Sequence, residues 1–199
     1  MSTPGPEMPS RPGPYTVEQY FRLLEDGVLG PDDRVELLEG VIVPMSPANP
    51  AHANAVSILM QRLIVAVGNR GVVRGQSTYV AGQWSAPEPD VAVVAGSFDD
   101  YWTGHPSAAI LVVEVADSSL ATDRLTKAAL YARHGVSEYW IVNLRHGRVE
   151  VYRRPDAASG LYRDIRVAAK DETLTLVGLP DVAIAVADLL PDRTDDGEA

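Results

Sequence analysis

The sequence predicts an α/β (α+β) domain, a mixed β-sheet flanked by helices and completed by a C-terminal β-meander. Three observations predict it. Ile110-Leu-Val-Val-Glu-Val115 is an almost unbroken aliphatic run, as expected of a strand covered on both faces. A helical stretch from about Leu120 to His134 follows, and then a second apolar run, Glu138 to Leu144. That order is β-α-β, so its two strands should be parallel.

The remaining elements follow from local chemistry. Tyr15 to Glu25 reads as an amphipathic helix, with Thr16 as N-cap and Gln19 at capping-box spacing. Asp26-Gly27 and Leu29-Gly-Pro-Asp-Asp33 mark turns. Val35 to Glu39 and Val41 to Val43, separated by Gly40, predict a hairpin of two short strands. Ser46 to Pro50 reads as a loop. A helix is expected from about His52 to Val67, with Val56, Leu59, Leu63 and Val67 at helical spacing. Val72 to Arg74, Gln76 to Val80 and Val91 to Ala95 are short strand candidates. Asp117-Ser-Ser119 should cap the later helix and Gly135 should end it. Arg148 to Arg153, Tyr162 to Val167 and Thr173 to Val177 form the expected meander.

The expected organisation is a disordered leader over 1–14, a single domain over 15–190 and an acidic disordered tail over 191–199. No apolar run approaches the roughly 18 residues that span a bilayer. The absence of Cys excludes disulfides, thiolate zinc sites and cysteine nucleophiles, and fits a cytoplasmic protein. The formal charge of −10 works against nonspecific DNA binding, which needs clustered cations. Part of it lies in the tail, where four acids and one Arg give −3. Arg62, Arg70, Arg74, Arg124 and Arg133 are candidates for a local basic surface.

The chemistry concentrates in an ordered series: Glu88-Pro89-Asp90, then Glu114, then Lys127 on the following helix. Two carboxylates on neighbouring strand ends can hold a hard divalent cation through oxygen. An ammonium nearby can stabilise a reacting phosphate or help to activate water. Along the strand, Val112, Glu114 and Ala116 share one face and Val113 and Val115 the other. A Glu in so apolar a strand needs a partner. The competing reading of Lys127 is an i,i+4 surface pair with Asp123. Of Glu36 and Glu39, which a strand would point to opposite faces, Glu36 is the choice for the site. His52 reads as a helix-start residue rather than a ligand, since no second His or Cys stands at ligand spacing. Gln76 and Tyr131 are candidates for supporting groups. Phosphate-loop, dinucleotide and nucleophile-elbow motifs are absent.

Taken together, Val35 to Val43, His52, Glu88 to Val94, Leu111 to Val115, Asp123 with Lys127 and Tyr131, and Gly135 to Val142 resemble the Uma2-type endonucleases of the PD-(D/E)XK nuclease superfamily. The resemblance spans about Tyr15 to Leu190. It implies a restriction-endonuclease-like core and a cation held by Asp90 and Glu114, with Glu36 completing the acidic cluster. The superfamily motif places Lys two residues after the Glu. Ala116 stands there in this chain, and the resemblance implies that Lys127 is the migrated replacement. The implied activity is Mg²⁺- or Mn²⁺-dependent hydrolysis of DNA, with the Val115 carbonyl as a further metal ligand and a homodimer suited to cutting both strands. The rivals are a catalytically inactive module for DNA binding or protein assembly, and a phosphoesterase acting on small nucleotides.

Overall fold

The computed structural model describes residues 14–30, 32–45 and 49–190, so the leader beyond Pro14 and the tail over 191–199 lie outside the described residues. Its centre is a six-stranded sheet: β3 (Val72–Gly75), β4 (Val91–Val94), β5 (Leu111–Ala116), β6 (Glu138–Asn143), β7 (Arg148–Asp156) and β8 (Leu161–Ala168), in that spatial order. Only β5 and β6 are parallel, with Glu114 opposite Ile141, as a helical crossover requires. All the other pairs are antiparallel, so the sheet is mixed.

Alternation along β5 divides the core. Leu111, Val113 and Val115 face one layer, while Val112 and Ala116 face the other. The first layer is α2 (Pro50–Val67), whose Val56, Leu59, Leu63 and Val67 lie on the sheet. Replacing either fully buried leucine by alanine should cost about 2–5 kcal/mol. The second layer is the crossover, where Tyr131 packs among Tyr79, Tyr139 and their neighbours. Ahead of both lie α1 (Val17–Glu25) and the hairpin of β1 (Val35–Leu38) and β2 (Val41–Pro44). Thr16 and Gln19 form the expected capping box. The hairpin turn has positive φ at Glu39 and Gly40, the backbone of a type I′ turn. A side chain at Gly40 would also collide with Pro14.

Several expectations are corrected. Gln76 to Val80 is not a strand: φ of 43° at Gln76 breaks β3, and the Tyr79 and Val80 amides bond instead to the carbonyls of Pro87 and Pro106. The meander ends at β8. Beyond it β9 (Thr173–Thr175) leaves the sheet to pair with β10 (Ala183–Ala185), a strand that the sequence did not announce; Leu174 and Ile184 from this pair join the core under α2. Helix α2 begins at Pro50 rather than His52, because Asn49 caps it and proline suits the first turn. With the 3₁₀ turn Gly68–Arg70 it reaches 21 residues, long and apolar enough by composition to cross a membrane, contrary to the sequence expectation. Its apolar face is spent on the sheet core.

The crossover is three pieces: α3 (Leu120–Thr122), a π-helical turn (Asp123–Lys127) and α4 (Ala128–Arg133). Ser119 does not cap it. Its hydroxyl donates instead to the Asp123 carboxylate at 2.6 Å.

Candidate active site

Four separate segments converge at the ends of β4 and β5. Pro89 leads Asp90 into β4, and the Asp90 Oδ2 accepts the Val115 amide at 2.8 Å, pinning it to the neighbouring strand. Glu114 projects from β5 toward the crossover, almost wholly buried. Lys127 Nζ reaches its Oε1 at 3.1 Å, and the Tyr131 hydroxyl donates to the same oxygen at 2.9 Å. Glu36 on β1 completes the group: Oε1 lies 3.3 Å from Lys127, and Oε2 accepts the Glu88 amide at 3.1 Å. Asp90, Glu114, Lys127 and Glu36 therefore come together as the sequence suggests.

The π turn explains how a lysine thirteen residues after Glu114 returns to it. Its extra residue carries both Asp123 and Lys127 into the interior, so the competing reading of the two as a surface pair does not hold. Lys127 pairs with Glu36 and Glu114 instead. The Asp123 carbonyl accepts the Ala128 amide across the widened turn, and also the Tyr139 hydroxyl at 3.2 Å.

Electrostatically the site is rich in acid. Glu36, Glu88, Asp90, Glu114 and Asp123 line a cavity of about 490 Å³ with Lys127 and His52. Burial pushes the Glu114 carboxyl well above its usual range; Lys127 opposes this, and Asp90, Asp123 and Glu36 add to it. Burial likewise raises Glu88 and Asp123. Burial alone would lower the Lys127 ammonium, but the Glu114 and Glu36 carboxylates outweigh it and hold its pKa above the ordinary value. A second cavity of about 620 Å³ adjoins the first, sharing Arg34, Met45, Gln76 and Glu88.

His52 is the residue whose place the sequence did not reveal. Its Nε2 lies 3.1 Å from Asp90 Oδ1, a partner 38 positions away that no local spacing could expose. That bond raises the imidazole above its usual pKa, against the effect of burial. Gln76 lines both cavities, and Tyr131 supports Glu114 as anticipated.

The donor set suits a hard cation. Among the described residues no three His, Asp or Glu side chains gather as a ready metal cluster. Magnesium, however, is commonly held by one or two carboxylates with water and phosphate completing its shell. Both protein donors to Glu114 fall on Oε1, and neither takes its second oxygen.

Of the five arginines considered for a basic surface, three are paired with carboxylates. Arg62 meets Asp188, Arg124 meets Glu150 and Arg133 meets Glu39. Arg70 bonds carbonyls of its own helix, and Arg74 stacks over Tyr101.

A crystal structure described as a putative nuclease belonging to DUF820, from Anabaena variabilis ATCC 29413, has a similar fold, with a TM-score of 0.68 at 17% identity. The likeness covers 88% of this chain and 97% of that one. No curated protein matches the chain. A family profile described as "Putative restriction endonuclease" matches residues 17–187, spanning both helical layers, the whole sheet and every residue of the acidic cavity, and the chain belongs to that family, Uma2.

Proposed function

We propose that the protein is a divalent-metal-dependent endonuclease hydrolysing DNA phosphodiesters. The observation that carries this reading is the convergence of Asp90, Glu114, Glu36 and Lys127 from four segments on one acid-rich cavity. Asp90 and Glu114 would hold Mg²⁺ or Mn²⁺, with the Val115 carbonyl as a further oxygen donor. Such a cation supplies an acidified water and neutralises charge on the scissile phosphate.

The chain's own residues do the rest. The Asp90 orientation is fixed by the Val115 amide, so one carboxylate oxygen is committed to structure. Lys127 is a cation at neutral pH, because its flanking carboxylates hold its proton. Its part is therefore to orient the attacking water and stabilise the charged transition state, rather than to abstract a proton. Glu36 is the second carboxylate that pairs with Lys127, at 3.3 Å. A two-fold pair would bring two sites to the two strands of a duplex, and the cysteine-free chain suits the cytoplasm.

The engaged arginines and the charge of −10 favour one second reading, a catalytically inactive module on the same fold. Mn²⁺-dependent nicking of supercoiled plasmid by wild type and not by Glu114→Ala supports the nuclease. Equal residual nicking by both, or none with either, selects the module.

A further inference from the structure

The larger of the two adjoining cavities, about 620 Å³, holds none of the residues assigned to hydrolysis. It lies between α1, the start of β1 and the first half of α2, and it runs into the acidic cavity past Arg34, Met45, Gln76 and Glu88. A cube of 620 Å³ has an edge of about 8.5 Å, narrower than the major groove alone of B-DNA at about 12 Å. No duplex can enter it. A single nucleotide can, since the volume falls in the range of small-ligand sites.

The lining divides into two kinds of chemistry. Leu24 and Val56, with Met45 and Met60, make an apolar and polarisable wall that suits the face of an aromatic ring. Met60 packs against β3 at Gly75, where any side chain would collide with its sulfur. Most of the polar side chains are already committed. The Tyr20 hydroxyl donates to the Val35 carbonyl and Ser57 donates to Ala53, while Asp33 accepts the Gly30 amide and Glu88 accepts the Thr78 hydroxyl.

Arg34 and Gln76 differ. Among the described residues neither side chain has a hydrogen bond or an ion pair, and both stand where the two cavities meet. Gln76 is held there by left-handed backbone, with φ of 43°, a conformation uncommon for a residue other than glycine. Its backbone amide donates to the Asp90 carbonyl at 3.1 Å, so its side chain starts beside the candidate metal site. A carboxamide offers the donor and acceptor that a base edge needs, and a guanidinium fits a phosphate. Arg34 is also the cation that offsets Glu88 at the junction.

We propose that this cavity receives one unpaired nucleotide of the substrate, its base against Met45, Met60 and Gln76 and its phosphate on Arg34, while the adjoining phosphodiester lies over Asp90 and Glu114. This deepens the nuclease reading and rests on it. The preferred substrate is accordingly a single strand, or a duplex opened locally as negative supercoiling allows, rather than relaxed duplex.

The test reads binding, not turnover. Full-length protein with Ca²⁺, a cation that takes oxygen ligands, is titrated into a fluorescent DNA single strand and into the same strand annealed to its complement. The single strand should bind roughly tenfold tighter or more, and one unpaired nucleotide inserted in the duplex should recover most of that difference. Arg34→Ala should weaken single-strand binding and flatten the slope of log affinity against log salt by about 0.7, the signature of one lost phosphate contact. Gln76→Gly, which suits the backbone there, should weaken binding about fivefold with the slope unchanged. Equal affinity for the two DNAs, tighter binding of the duplex, or binding of neither overturns the proposal. A wild-type salt slope in Arg34→Ala also overturns it. The nuclease reading is judged separately, by Mn²⁺-dependent nicking with wild type against Glu114→Ala, so the two can fail independently.

Discussion

Lys127 and Tyr131, one helical turn apart, donate to the same carboxylate oxygen of Glu114. Two donors on one atom fix that carboxylate in rotation, so the pair acts as a bracket rather than as two independent contacts. Lys127 also bridges Glu114 and Glu36, which come from separate sheets.

Lys127→Met should therefore destabilise the fold by about 3–5 kcal/mol, since it strands two buried carboxylates. Adding Glu36→Gln and Glu114→Gln to it should restore much of the loss, because neither carboxylate that Lys127 bridges is then left as a buried charge. Urea unfolding of the single and triple variants checks this. Equal instability in both would show that packing, not charge, holds this corner together.

Tyr131→Phe keeps the buried ring and removes only the hydroxyl. A hydrogen bond to a carboxylate contributes about 1.5–3 kcal/mol, and a loss of that size is expected in chemical denaturation. The spectrum of the folded protein should not change.

The π turn invites a deletion. Leu125 is 73% exposed within it, so removing this residue should let the segment close into an ordinary α-helix. The melting temperature should hold or rise, while plasmid nicking falls at least a hundredfold because Lys127 and Asp123 lose their common inward face. Retained nicking would show that the widened turn is not what aims Lys127.

Glu150 offers a pH test away from the acidic cavity. Burial acts to raise its carboxyl, but hydrogen bonds from Arg124 at 2.5 and 2.8 Å, with Asn143, outweigh it and leave its pKa below the ordinary 4.5. A depressed carboxylate contributes stability above its unfolded pKa, and that stability is lost as pH falls through the folded value. Glu150→Gln should accordingly be about 2 kcal/mol less stable at pH 7. The gap should close as pH falls below the ordinary carboxylate range and the wild-type carboxylate takes a proton. Denaturant midpoints across that range measure it.

Much of this was legible in the chain because the signals were short-range. The capping box at Thr16 and Gln19, the Glu39-Gly40 hairpin and the parallel β5–β6 pair all follow from residues close in sequence or from handedness. The alternation of β5 assigned Glu114 to one face correctly. What stayed hidden depended on tertiary partners. His52 owes its place to Asp90, far along the chain, and the π turn owes its width to buried anchors that no periodicity encodes. The departure of β9 from the sheet was equally invisible, since a strand's own residues do not name its partner.

The strand β5 serves the cavity from both of its faces. Glu114 presents its side chain to the crossover layer, while the next residue, Val115, buries its side chain under α2 and offers its backbone amide to Asp90. A slip of β5 by one residue would send a carboxylate into the aliphatic layer and a valine into the cavity. Any ion that requires Asp90, Glu114 and the Val115 carbonyl at once can bind only the correctly registered sheet. Binding would then act as a proofreading step on folding, drawing the chain out of misregistered states by mass action as the ion concentration rises.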